Sequence, residues 1–481
     1  MPCHDEGTLL MNATTIPLAV GLLLVAAAFA WSARVDLFRA AVVWLGLLLF
    51  HELALRWLVN LAAAPPQVVS MASLWKEAGL AGLLFGAGIE AWPVGRPPTL
   101  SAPDWAVLLF VLVGLAAAAL SPNKLAGLAA LRDYFEPVLL YGIGRFVRPT
   151  ERQVARWQKA WMLLATVMAA LAIWQGIAWN ASDYARFGFG EVSGQIGIPR
   201  LVTDGESLIR PPSTLTGPNE LALHMVLGVS LAASLFLEAS RRYWYAAGAA
   251  VLAAGALVLT ASRSGFLGLV VALAFVTWHA VRQRMRGRLA PFGRRSVLLA
   301  VVVVLVVAVP AIWLTGFGSL LARTVGSLGR QYHVVDTLDA LRFLVSHPAG
   351  VGMGLVGPRQ GFGFPTVAAF HVEGSLLQIA MEMGVWGLGV YLALMLISLR
   401  RAWFKVAALS SAVMRVSSIA AVAGWAGALV ALVFLPLMQA LPLMAWLWFL
   451  LGLACSADRI ETSWGAGVRL SPQAAPTMPR P

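Results

Sequence analysis

Apolar stretches long enough to cross a lipid bilayer recur along this 481-residue chain, and they fix its fold class before any other feature is read. A helix needs about 20 apolar residues to span the hydrocarbon core. Candidate spans fall at 15–31, 38–62, 71–91, 104–120, 125–144, 157–179, 216–237, 242–260, 264–281, 297–316, 375–399, 417–434 and 439–455. Backbone polar groups have no water partner inside a bilayer, so only helices and closed barrels cross it. A barrel would show alternating strands of about ten residues, and the sequence has none. The expectation is an all-α, polytopic transmembrane protein with 12 or 13 spans. Two spans carry charge: 71–91 holds Lys76, Glu77 and Glu90, and 125–144 holds Arg132, Asp133 and Glu136. Either can instead lie tilted or at the interface.

Charge sets the orientation. Only 12% of residues are charged, yet the net charge is +13. The excess sits in short linkers: Arg145 to Lys159, Arg241 and Arg242, Arg282 to Arg295, and Arg400 to Arg415. Counting spans places all four on one side, which the positive-inside rule makes cytoplasmic. The basic balance therefore implies a bilayer partner and no nucleic acid. Residues 180–215 and 317–374 then face outward. The organisation expected is N-terminal spans over 1–179, central spans over 180–316 with outward loop 180–215, a periplasmic loop over 317–374, C-terminal spans over 375–455, and a disordered cytoplasmic tail over 456–481. The acidic start, Met1 to Gly7, argues against a cleaved signal peptide. Cys3 and Cys455 give no metal-type spacing, and neither metal nor cofactor is expected.

Four motifs carry candidate chemistry. Arg210 precedes Pro211-Pro212-Ser213-Thr214-Leu215-Thr216-Gly217-Pro218-Asn219. Proline and glycine forbid helix up to 218, and Asn219 can cap the next helix. An arginine at this edge can fork onto phosphate oxygens or hold loop carbonyls. Thr260-Ala261-Ser262-Arg263-Ser264-Gly265 reads as a tight turn between spans, with Arg263 facing an anion or a carbonyl. Gly329-Arg330 opens a third region. There Leu338, Leu341, Phe343, Leu344 and Val345 give one apolar side, fit to lie along a membrane. His347-Pro348 to Gly354 comes after it; its glycines formally match a dinucleotide fingerprint, but with no βαβ unit around them they read as a turn. The fourth motif runs His371-Val372-Glu373-Gly374-Ser375 into Glu382-Met383-Gly384-Val385-Trp386-Gly387. His371 and Glu373 can each take a proton from a hydroxyl; Glu373 can also simply favour the helix entrance. In the N-terminal half, Glu52 and Arg56 are four apart and able to pair, and ionisable groups at membrane depth point to function by default.

In this order and spacing, residues 205–400 resemble the O-antigen ligase and O-antigen polymerase superfamily. Its members are bacterial inner-membrane enzymes of lipopolysaccharide and exopolysaccharide biosynthesis, with about twelve spans and a large late periplasmic loop. Gly217-Pro218-Asn219 stands where the family has Asn-Pro-Asn, and Ala261 stands for the first glycine of Thr-Gly-Ser-Arg-Ser-Gly. Arg330 and the turn from His347 also match. The fourth motif departs: nine residues ahead of Glu382, where a ligase carries histidine, the residue is Glu373, and His371 lies two further upstream. The resemblance implies a transferase that takes glycan from undecaprenyl diphosphate to a glycan or lipid-linked acceptor. Arg210, Arg330, Arg263 and Asn219 would bind substrate, and Glu373 or His371 would be the base. A lipid or polysaccharide flippase is the competing class; it would be favoured by inverted internal repeats, which the sequence does not show.

Overall fold

The computed structural model describes residues 5–91, 99–189, 200–203, 206–238, 244–287, 328–356, 372 and 374–469. The expected span 297–316 and the basic run 288–295 lie outside these residues. The described chain is a bundle of helices. Asp5–Leu48 (α1), His51–Asn60 (α2), Pro66–Ser73 (α3) and Trp75–Ala91 (α4) open it. Ala102–Leu120 (α5), Lys124–Phe146 (α6), Glu151–Ala178 (α7) and the short Ala181–Arg186 (α8) follow. Pro218–Glu238 (α9), Trp244–Leu259 (α10), Arg263–Met285 (α11) and Leu328–Ser346 (α12) come next. Ser375–Val406 (α13), Ala412–Phe434 (α14), Leu441–Cys455 (α15) and Ala457–Arg469 (α16) complete it. Eight helical segments among the described residues are long and apolar enough to cross a membrane. The pair α15 and α16, bent by 58°, makes a ninth if taken as one broken span.

Three details differ from the sequence reading. The expected span 38–62 is broken: α1 kinks at Asp36, ends at Leu48, and restarts as α2 at His51. The loop before α9 carries an antiparallel hairpin, Arg200–Thr203 (β1) against Glu206–Ile209 (β2), which leads directly into Arg210. The segment 457–469, expected to be disordered, is helical. Ala457 and Ile460 are buried, the Trp464 indole donates to the Pro149 carbonyl at 2.7 Å, and Glu461 accepts from Ser410 Oγ at 2.8 Å. Apolar residues three and four apart gave this segment a face to dock.

The centre of the bundle is α9, α14 and α15. Every residue from Pro442 to Cys455 is buried. Lipid is as apolar as leucine, so helices in a bilayer associate by close packing rather than by the hydrophobic effect. Small residues permit it: a Cβ on Gly268 of α11 would lie 2.8 Å from the Gly427 carbonyl oxygen of α14, and one on Gly452 of α15 would lie 2.2 Å from the Tyr141 oxygen of α6. Leucines on outer faces, such as Leu23, Leu24, Leu112 and Leu396, stay exposed, as a lipid-facing surface requires.

The described ends of the basic linkers converge on one end. Arg415 pairs with Glu238 at 2.9 Å, and His279 lies 3.5 Å from the same carboxylate. Arg145 pairs with Asp104 at 3.0 Å and donates to Ser456 Oγ at 3.1 Å. Ser411 donates to Glu151 at 2.7 Å. This end collects the C-termini of α6, α9, α11 and α13. The N-termini of those helices, at Lys124, Pro218, Arg263 and Ser375, therefore gather at the opposite end, about 30 Å away at 1.5 Å per residue. The candidate motifs lie there.

Candidate functional site

Two constructions occupy the end opposite the basic linkers. The first is built on the start of α9. Pro211, Pro212 and Gly217 keep residues 210–217 out of helix, and Ser213 adopts a left-handed φ of 57°. The Gln175 side chain brackets that residue, accepting from its amide at 2.8 Å and donating to its carbonyl at 3.1 Å. The loop presents Arg210 to the junction of α10 and α11. Its Nε donates to the Thr260 carbonyl at 2.6 Å, and its Nη2 donates to Asn219 Oδ1 at 2.7 Å. Thr260 ends α10 in a turn that passes through Ala261, φ 48°, to Ser262. Ser262 Oγ caps α11 by accepting from the Gly265 amide at 3.3 Å. Arg263, the first residue of α11, is exposed.

Arg210, Asn219 and Arg263 are thus brought together. Asn219 serves as a partner of Arg210. Arg210 does hold a carbonyl, but it keeps a cation beside a second one. Burial first, and then the charge of Arg263, pull the Arg210 guanidinium below its ordinary value. Among the described residues, neither arginine has a carboxylate within ion-pair distance. Two cations so placed repel one another until an anion sits between them, and arginine matches the oxygen spacing of a phosphate better than lysine does.

The second construction clamps the glycine turn. Glu382, buried in α13, accepts the Tyr134 hydroxyl of α6 at 2.8 Å and the backbone amides of Gly354 and Val356. The carboxylate satisfies donors that would otherwise be enclosed without partners, at a cost of about 1–3 kcal/mol each. Gly384, at φ 72°, breaks α13, and the turn packs into the break: Val351 N–H donates to Met381 O at 2.7 Å, and Val385 N–H to Pro348 O at 2.9 Å. Gly354 has φ 80°, and a Cβ on it would meet the Ala126 oxygen at 2.2 Å. These glycines shape a fixed turn against α6 and α13, and the dinucleotide reading has no support. The leucines of α12 divide. Leu344 packs inward beside Ala340, Phe343, Val356, Ala380 and Met381. Leu338, Leu341 and Val345 face outward. The single apolar side expected is therefore split between the protein and its surroundings.

Arg330 lies in the first turn of α12. His371 and Glu373 lie outside the described residues. Their neighbours set the place of the motif: Val372 is buried, Gly374 is the N-cap of α13, and the Ser375 hydroxyl donates to the Leu435 carbonyl at 2.7 Å.

Residues 248–392 match the family model described as O-antigen ligase. Over that segment the chain is similar to the O-antigen ligase family, which supports the resemblance to the ligase and polymerase superfamily. No curated protein matches the chain. The O-antigen ligase match includes Arg263, Arg330, His371, Glu373 and Glu382, whereas Arg210 and Asn219 precede it; Arg210 reaches its α10–α11 turn through the Thr260 carbonyl and donates to Asn219. The family implies a membrane enzyme of the glycan ligase or transferase type, with lipid-linked glycan substrates.

Sequence reasoning missed one participant of this end. Glu52 and Arg56, expected to pair with each other, form no ion pair within 4.0 Å. The Arg56 guanidinium lies 3.9 Å from the Phe189 ring centroid and donates to the Thr216 carbonyl at 3.2 Å. Four-residue spacing permits a pair, but the helix break before His51 lets α2 reach the 210–220 loop. The signal available was a cation near a membrane edge, which named the residue but not its partner.

Proposed function

We propose that this chain transfers an oligosaccharide from undecaprenyl diphosphate to a glycan or lipid-linked acceptor at the periplasmic face of the bacterial inner membrane. The observation that carries the reading is the arginine couple: Arg210 grips the α10–α11 turn through the Thr260 carbonyl, Arg263 follows that turn and acts on the charge of Arg210, and neither has a carboxylate within ion-pair distance among the described residues. Arg330, in the first turn of α12, would supply a third cation. In the reaction, an acceptor hydroxyl attacks the anomeric carbon. Its proton goes to Glu373 or His371, the bond from that carbon to the diphosphate oxygen breaks, and the lipid diphosphate departs with the electron pair. A single displacement inverts the anomeric configuration. Diphosphate leaves readily when fixed cations hold its developing charge, and Arg210 and Arg263 would do so. The basic linkers at the far end support a cytoplasmic assignment for that end, which turns the arginines outward with the loop 317–374.

Two measurements test this reading. A strain lacking the protein is expected to accumulate lipid-linked glycan and lose the ligated or polymerised product; restoration by the wild type but not by Arg263→Ala supports the reading, and an unchanged glycan profile defeats it. A cysteine at exposed Ser346 is expected to react with an impermeant maleimide in cells whose outer membrane alone is permeabilised. Labelling only after rupture of the inner membrane would reverse the orientation.

A further inference from the structure

Arg56 and Glu220 both hold the backbone of Thr216. Arg56 Nη2 donates to the Thr216 carbonyl at 3.2 Å, and the Thr216 amide donates to Glu220 Oε2 at 3.3 Å. Each residue keeps a second head-group atom. Arg56 Nη1 and Glu220 Oε1 are both enclosed and have no hydrogen-bond partner among the described residues, and nor has the buried Thr214 hydroxyl. Glu220 is 3% exposed. The guanidinium is fixed in place by the Phe189 ring, and a Cβ on Gly188 would meet Asn60 Nδ2 at 2.4 Å and Arg56 Cβ at 2.8 Å. That contact presses the 188–189 backbone onto α2. Enclosed charged groups left unpaired are costly to the fold, so this pairing of a spare donor with a spare acceptor points to a ligand group that supplies both.

We propose that Arg56 and Glu220 form a subsite for sugar hydroxyls, beside the arginine couple and joined to it through Asn219. A hydroxyl donates once and accepts twice, so it can donate to Glu220 Oε1 while accepting from Arg56 Nη1. A diphosphate oxygen only accepts, so it would leave Glu220 Oε1 facing another acceptor. The charge balance separates the two places. Arg56 lies within electrostatic reach of two carboxyl groups, Glu52 and Glu220, whereas the charge acting on Arg210 is that of a second cation, Arg263. The couple suits the diphosphate, and the Arg56–Glu220 subsite suits the uncharged sugar attached to it. The inference rests on the transferase reading and adds a sugar-binding role for the N-terminal helices, which lie outside the O-antigen ligase match.

The test measures binding to the full-length protein in lipid nanodiscs with two probes. One is lipid-linked oligosaccharide extracted from source cells lacking the protein; the other is undecaprenyl diphosphate without sugar. In Glu220→Gln, the Thr216 amide holds the side-chain oxygen, so the amide NH2 replaces the spare acceptor with a donor. In Arg56→Lys, one ammonium cannot serve both Thr216 and a ligand in the planar geometry. Each substitution is expected to weaken binding of the glycan-bearing probe about tenfold or more and to leave the sugar-free probe unaffected. Arg210→Ala is expected to weaken both. Equal weakening of both probes by Glu220→Gln, or no weakening of either, overturns the subsite. Glu220→Gln preserves side-chain shape and carries the test if Arg56→Lys does not fold. A wild-type protein that binds neither probe overturns the transferase reading, a result distinct from failure of the subsite alone.

Discussion

Replacing Arg210 with alanine should lower glycan transfer about 100- to 1,000-fold, the loss typical of removing one preorganised donor to a developing anion. Two effects combine. The cation is lost from a place where it stands with Arg263. The Thr260 carbonyl and Asn219 also lose the donor that joins the 210–220 loop to the α10–α11 turn. Arg210→Lys separates the two. A lysine restores the charge, but Nε and Nη2 of the arginine reach different partners, and an ammonium on a flexible stem cannot reproduce both contacts and still face a phosphate. Lysine is therefore expected to recover less than a tenth of activity, a barrier more than about 1.4 kcal/mol higher than in the wild type. Transfer rates normalised to the amount of protein in the membrane read this out. Full activity in Arg210→Ala would remove the residue from the site.

The second large effect concerns the proton acceptor. If Glu373 is the base, Glu373→Gln should reduce transfer by about 100- to 10,000-fold with donor binding kept, because an amide preserves shape but takes no proton. His371→Ala should then be mild. The inverse ranking, with His371→Gln inactive and Glu373→Gln tolerated, assigns the base to His371 and leaves Glu373 a helix-entrance role worth about 0.3–1 kcal/mol. Glu373 is the stronger expectation, because it stands nine residues ahead of Glu382, where the family carries its histidine. A double variant with full transfer would mean that neither residue is the base.

The bundle was legible because the bilayer leaves the backbone so few options, and hydropathy alone located most helices. The shared end of the basic linkers was legible for the same kind of reason: Arg and Lys counts in short loops bias orientation. Contacts were not. The acceptor for Arg210 is a carbonyl 50 residues away, and any residue type offers a carbonyl, so no sequence pattern marks it. Arg56 shows how a local rule misleads: its spacing to Glu52 satisfies the helix-pair rule, but contacts to Phe189 and Thr216 take it elsewhere. Glu382 stood out as part of a motif, yet its work in clamping the turn depends on Tyr134, 248 positions away. Two misses had readable signals. Asp204-Gly205 between Leu201-Val202 and Leu208-Ile209 is a hairpin dipeptide, and Ala457, Ile460 and Trp464 recur at helical spacing.

The most direct measurement uses the purified full-length protein in proteoliposomes with extracted lipid-linked oligosaccharide, an acceptor glycan, and no sugar nucleotide. Undecaprenyl diphosphate release and glycan joined to acceptor are followed together. The expected result is one lipid diphosphate released for each glycan transferred, with both lost in Arg210→Ala. Donor that crosses the bilayer intact, with no diphosphate released, would contradict the transferase and make the chain a transporter.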